Sequence, residues 1–294
     1  ISKRMLKSRV FIRSYILNML PEAVWLAEDW NMLFGDGNGE NLLGITNHTG
    51  VLPVESIIKD TIIKGEAGSV KSVESHNGGK DTIVEFTKPY DLMLNGMVIT
   101  FTNAAVVTDL NKANPIIKMN DRQILLKGVA FVGEETGIAS MTFTVNNSFF
   151  QSIEAPNSED VIKTAFAVMT YAQYYPNAIT LNPSDVNAME SEKDTTGRNL
   201  GIIKVVNGVK HIANRPIVES TGMLPGKYFI GDMHMGASIV DYTNLALEWA
   251  EDVETKLCNE VVLIASEEVI FPVYNPWAFA YGDLAELKEA ITKK

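Results

Sequence analysis

Acidic and imidazole side chains are where chemistry would first be sought in this chain, and their spacing argues against it. Glu251-Asp252 and Glu267-Glu268 are adjacent carboxylates of the kind that could share acid/base work in a cleft. Neighbouring residues on a strand point to opposite faces, so such pairs are expected to be solvated rather than convergent. His48, His76, His211 and His234 lie far apart, and none has a ligand-type residue two or four positions on. Asp36-Gly37-Asn38-Gly39-Glu40 has the alternating oxygens of a calcium loop, but Asn41 and Asn47 stand where the loop needs a glycine and a bidentate carboxylate. The same stretch offers Gly35-x-Gly37 but follows a helical pattern and places Glu40 where a dinucleotide fingerprint needs a small residue. No Walker A, G-x-S-x-G or H-E-x-x-H pattern occurs. Cys258, the single cysteine, has no partner for an intrachain disulfide or a zinc site and reads as a buried apolar thiol. No catalytic residue, cofactor or metal is expected.

The elements that would have to position a site tell more. Ile12, Ile16, Met19, Ala23, Leu26, Trp30 and Leu33 step by threes and fours, predicting an amphipathic helix over residues 1 to about 33, about 50 Å long if continuous. Pro21 inside it removes a backbone donor and predicts a kink or break. Gly35, Asp36 and Gly37 open the turn that ends it. Lys3, Arg4, Lys7, Arg9 and Arg13 crowd the start with no acid among them, as a solvated helix face or as a segment near packaged DNA. The chain opens on Ile1 within this helical pattern, so an upstream segment, cut from a precursor or trimmed, is expected.

From about Val51 to Ala155 the texture is β: Ser69–Val73, Thr82–Phe86, Met97–Phe101, Gln123–Leu126 and Met141–Val145 read as strands, with an Asn-Gly turn at Asn77-Gly78. Five to seven strands forming a barrel or sandwich are expected. After Pro156 the helical period returns, with Asn157 or Ser158 as N-cap and Val161, Ile162, Ala165, Val168, Met169 and Ala172 on one face. Ala178–Leu181 is a strand ending at Asn182-Pro183, and Ser184-Asp185 caps a short helix to about Glu192. Arg215–Val218 and Lys227–Gly231 read as strands, and Ala237–Trp249 and Val261–Ala280 as extended runs. Leu284, Leu287 and Ile291 make a short tail helix.

The net charge of −11 works against a general grip on nucleic acid, leaving only weak or local DNA contact. Neither a secretory leader nor an apolar run of about 20 residues is present, which argues against membrane roles.

Four segments, in order, carry a resemblance. Arg13 to Ile45, with its Gly-Asp-Gly turn, resembles the spine helix of HK97-type major capsid proteins of tailed phages and prophages. Thr180–Asp185, followed by Met189 through Arg198, is similar to the strand, short helix and exposed loop of that family's axial domain. Arg215–Val218, with Gly231-Asp232 to Ala237, is similar to the family's Pro-Val strand and Gly-Asp turn, and Val261 to Gly282 to the closing strand of the peripheral domain. The family's N-terminal arm and extended loop would precede Ile1, and residues 51–155 replace a short connection.

The resemblance implies an α+β HK97-like capsid fold, a long spine helix with peripheral and axial domains, carrying an inserted all-β barrel-like domain. The implied division is 1–50 spine helix and start of the axial domain, 51–155 insert, 156–236 axial domain, and 237–294 peripheral strands and C-terminal helix. It further implies a structural subunit that self-assembles through pentamers and hexamers into an icosahedral shell around a double-stranded DNA genome, built in the bacterial cytoplasm and residing in the virion. Portal and scaffolding proteins would be partners, with packaged DNA touched weakly and no membrane. Asp194, Thr195, Thr196, Gly197 and Arg198 would form a loop near a capsomer axis, while Gly35, Asp36, Gly37, Asn182 and Pro183 serve as structural turns. The insert would either steer capsomer contacts during assembly or project outward to bind a surface glycan or decoration protein. A bacterial nanocompartment shell with protein cargo is the alternative, and an enzyme the outsider.

Overall fold

The computed structural model describes residues 10–58, 61–146 and 153–292. The basic residues Lys3, Arg4, Lys7 and Arg9 lie outside them. The chain divides into two compact units, one of residues 1–51 and 233–279, the other of residues 52–232 and 280–294.

In chain order, helix α1 (Val10–Phe34) leads to α2 (Val54–Ile58) and strands β1 (Thr61–Gly65), β2 (Val70–His76), β3 (Asp81–Phe86) and β4 (Val98–Thr102). Then come β5 (Asn114–Pro115), β6 (Ile117–Asn120), β7 (Gln123–Leu126) and β8 (Thr142–Asn146). Helix α3 (Ser158–Tyr171), β9 (Ala178–Leu181) and α4 (Pro183–Glu190) precede β10 (Lys204–Val206), β11 (Val209–Ile212), β12 (Arg215–Glu219) and β13 (Lys227–Gly231). The remainder is α5 (Met233–Gly236), β14 (Val240–Ala250), α6 (Val253–Leu257), β15 (Val262–Ile270), β16 (Phe279–Asp283) and α7 (Leu284–Ile291).

In the larger unit, strands β1 to β8 form two four-stranded sheets, ordered β1-β8-β4-β5 and β2-β3-β7-β6. Among the described residues there are therefore eight strands where five to seven were expected, in two ladders, the sandwich and not the closed barrel of the two arrangements expected. The extra members are short: β5 and β6 flank Ile116, a fully buried residue at which the chain passes from one sheet to the other. Alternation decides which face turns inward, with Ile99, Phe101, Phe143, Val145, Ile124 and Leu126 all at 1% exposure or less. Phe143 is the hub. Its ring lies 5.0 Å from Phe86 of the other sheet, 5.4 Å from Tyr90 and 5.7 Å from Phe101, centroid to centroid. A buried carboxylate also ties two loops of this region, since Glu135 accepts backbone N–H bonds from Ala105, Val106, Val107 and Gly137. Burial pushes the Glu135 carboxyl up, but these bonds outweigh it and hold the group below its ordinary value.

The third sheet of this unit has the order β10-β11-β12-β9-β13-β16, with β12 parallel to β9 and β13 antiparallel to it. Helix α3 starts at Asn157 in a capping box with Asp160, and Val161, Ile162, Ala165, Val168 and Met169 form its buried face. It packs on α2 and α7, where Leu287 and Ile291 are buried. Tyr228 fixes this region: its buried hydroxyl donates to Glu55 Oε1 at 2.9 Å, beside Gly282. The extended run predicted from Val261 is not one strand. It stops at Ile270, bends through Pro272 and Pro276, and re-enters as β16 in the six-stranded sheet. Proline cannot donate to a ladder, so the run is cut there.

In the smaller unit α1 runs without interruption through Pro21, so the break expected there does not occur. One missing donor in a 25-residue helix leaves the flanking turns hydrogen-bonded. β14 and β15 pair antiparallel as a long hairpin joined through α6, and α1 packs against β15. Cys258, expected to be buried, is exposed at the end of α6, where the short connecting helix offers it no apolar cover. Among the described residues no helix is long and apolar enough to cross a membrane.

Candidate assembly surfaces

The turn after α1 is held by amides. Asp36 accepts from Asn38 N and Asn38 Nδ2 at 3.1 and 3.0 Å and from Asn41 Nδ2 at 3.0 Å. These bonds, that of Asn41 foremost, pull its carboxyl down to about 2. Both oxygens therefore face N–H donors, which would compete with any cation. Gly35 N closes the helix on Asn31 O, Gly35 O accepts from Gly44 N at 2.8 Å, and Gly37 N bonds Leu42 O. Thr46 Oγ1 and Asn47 Nδ2 satisfy the last helical carbonyls, Leu33 O and Phe34 O.

Asn182, and not Ser184-Asp185, caps α4. Its side chain accepts from Ser184 N while its Nδ2 donates to Met223 O at 2.6 Å, with Pro183 in the first turn. Asp185 instead accepts from Gly226 N at 2.7 Å. The loop at Asp194 to Arg198 is a self-braced hairpin. Asp194 Oδ1 accepts from Thr196 Oγ1, Thr196 N and Arg198 N, and Asp194 N donates to Arg198 O. The Thr196 hydroxyl, first among these donors, holds the Asp194 carboxyl below its usual range. Thr195, Thr196, Gly197 and Arg198 are all exposed.

Hairpin β10–β11 was missed in the sequence, although Asn207-Gly208 announces it: both residues have positive φ, 52° and 81°, between the paired Val206 and Val209. β10 is a sheet edge, and its Val205 and Val206 are 62% and 50% exposed. Nearby, Glu159, Lys204, His211 and Asn214 line an open cavity of about 260 Å³. The Glu159 carboxylate is engaged by Lys163 at 2.9 Å, and His211 Nδ1 by Val209 O, so the cavity brings together no free acid/base pair.

The smaller unit exposes large apolar side chains among its acids. Most of the apolar stripe read on α1 turns outward: Met19, Ala23, Leu26 and Trp30 are exposed, as are Tyr15 and Trp25, while Ile16 and Leu33 are half-buried. The face turned inward carries Leu17, Leu20, Val24, Glu28 and Met32. Ile12 lies among residues whose side chains are not described. On the hairpin, Val240, Val262, Ile264 and Ile270 are exposed on one face, while Leu263, Ala265, Glu267 and Val269 alternate with them on the other. Glu267, expected to be solvated, is half-buried, and its Oε2 is buried with no hydrogen-bond partner. It meets Glu28 of α1 and Asp241 of β14, with carboxylate oxygens all within 4.8 Å of one another. Burial, then Glu267 and Asp241, push the Glu28 carboxyl up.

Residues 125–284 match the model of the phage capsid family. Among solved structures, the capsid of an empty GTA particle is 16% identical, with a TM-score of 0.48, covering 95% of this chain and 67% of the other. The capsid of a native GTA particle is 14% identical, with a TM-score of 0.48, covering 95% and 68%. A chain described as Mycobacterium phage Ogopogo is 14% identical, with a TM-score of 0.35, covering 44% and 52%. No curated protein matches the chain. The family match spans more than half of the 294 residues, and the chain belongs to the phage capsid family, as a structural shell protein.

Proposed function

We propose that this capsid protein builds an icosahedral HK97-type shell that encloses a tailed-phage double-stranded DNA genome, assembling from pentamers and hexamers in the host cytoplasm. The observation that carries the reading is the family match over residues 125–284, which takes in the sheet from β9 to β16, the Asp194 loop and hairpin β14–β15. Interfaces between shell neighbours need apolar cores, and the outward side chains of α1 and β14–β15 have that character. In this reading α1 is the spine helix, residues 156–236 the axial domain and residues 237–294 the peripheral strands with the C-terminal helix. The Asp194 to Arg198 hairpin sits near a capsomer axis, where its internal bonds present a rigid tip to its symmetry mates. Residues 51–155 are an insert that supports capsomer contacts during assembly. Portal and scaffolding proteins act with it, and DNA is contained by weak contacts.

Negative-stain electron microscopy of the full-length precursor, co-expressed with scaffolding protein, tests this. Closed shells or free pentamers and hexamers are the expected result, with nuclease-protected DNA in native particles. Dispersed monomers under all conditions would overturn it, and shells loaded with protein and no DNA would point to a nanocompartment. Removal of residues 51–155 should lower shell yield, while normal shells with altered surface binding would assign the insert an outward role.

A further inference from the structure

Charge is not spread evenly along the smaller unit. Residues 14–51 and 233–279 hold thirteen acidic residues and one base, Lys256, a net charge of −12 that by itself exceeds the −11 of the whole chain. Residues 1–13 hold five bases and no acid. The acidic part is also the part with uncovered apolar side chains on α1 and the hairpin, and it contains the Glu267 oxygen that is buried without a donor. We propose, resting on the shell reading above, that the basic segment Lys3–Arg13 of one copy docks on the acidic, apolar face of α1 and β14–β15 of a second copy.

Reach decides, for Lys7, Arg9 and Arg13, that the contact is between copies, and the mixed-isotope readout below decides it for Lys3 and Arg4. From Val10 to Glu28 the helix advances about 27 Å, while the three residues from Val10 back to Lys7 span about 10 Å even when extended. Lys7, Arg9 and Arg13 therefore fall short of their own Glu28, Asp241 and Glu267. The receiving face suits cations with apolar stems. Trp25 stands one turn before Glu28 and is 51% exposed, offering a ring for a guanidinium to lie on, and a basic head beyond it reaches exposed Asp241, beside the Glu28 and Glu267 carboxylates. DNA is the competing occupant of the basic segment, but it would have to approach a body of like charge. One chain supplying both charges, on different parts of its surface, makes a head-to-tail contact that rotation can close into a ring.

The test uses particles assembled from an equal mixture of light- and heavy-nitrogen full-length chains, treated with a zero-length carboxyl–amine crosslinker. Crosslinked peptides joining Lys3 or Lys7 to Glu28, Asp241 or Glu267, with about half of them of mixed isotope, are expected. The combined variant Lys3→Glu, Lys7→Glu, Arg9→Glu and Arg13→Glu should weaken self-association by more than tenfold, and Asp241→Lys with Glu267→Lys in that background should restore it in part. Shells that form without these crosslinks, or with same-isotope pairs alone, would overturn the contact and leave the shell reading standing. Protection of Lys3 and Lys7 only in DNA-filled particles would assign the segment to DNA instead. Chains that never associate would overturn the shell reading and this contact with it.

Discussion

In residues 52–232 and 280–294, Phe86, Phe101, Phe143, Leu110 and Tyr228 are at 1% exposure or less and find their partners within the chain. In residues 1–51 and 233–279 the apolar side chains at 1% exposure or less among those described are Ile45, Ala278 and Phe279, while Trp25, Trp30, Tyr242, Val253 and Leu257 face solvent. The first region closes its core on itself. The second has the composition of half a core, and the difference separates residues that specify the fold from residues that specify the assembly.

Substitutions that strike each side should break this division if it is wrong. Phe143→Ala removes the ring between the two β-sheets and is expected to cost about 3–5 kcal/mol in urea unfolding of the full chain. Glu135→Gln turns an amide toward backbone N–H groups that need an acceptor, for a loss of about 2 kcal/mol. Because the folded carboxyl is held low, the Glu135 contribution is fully present above the unfolded carboxylate range and fades as pH falls through the folded value. The wild type should therefore lose stability on acidification more steeply than the Gln variant. Asn157→Ala opens the cap of α3 and should cost about 1 kcal/mol by the same measurement. Trp30→Ala should move subunit stability by no more than about 0.5 kcal/mol while sharply lowering the yield of shells seen by electron microscopy. A large loss of subunit stability in that last variant would erase the distinction.

Much of this was legible in the residues. Alternation at Thr82–Phe86 and Gln123–Leu126 locates β3 and β7 to within a residue, because one face of each is buried and the period is two. The α3 cap and its buried face follow in the same way from Asn157, Asp160 and the threes-and-fours spacing after them. Periodicity reports that α1 has an apolar stripe but not what the stripe meets, and here Met19, Leu26 and Trp30 turn away from their own unit while Leu20, Val24 and Met32 turn in. The β11–β12 turn was not legible. Ala213 and Asn214 both have positive φ, and alanine gives no warning of it. The grouping of Glu28, Asp241 and Glu267 spans three elements and needs the pairing of β14 with β15, which no local pattern supplies. Its one-dimensional trace was the run of acids without bases on either side.

The contact between Tyr228, Glu55 and Gly282 has a bearing on divergence within the family. A Cβ at position 282 would stand 2.0 Å from Glu55 Oε1 and 2.8 Å from the Tyr228 hydroxyl. A side chain at position 282 would displace the end of Glu55 and with it the bond to the Tyr228 hydroxyl, so these three positions, far apart in the chain, are coupled. A relative that gains a side chain at position 282 should be found to have shortened the glutamate or given up the hydroxyl, so paired sequence changes at these sites would mark where one lineage of shells exchanges this segment less readily with another.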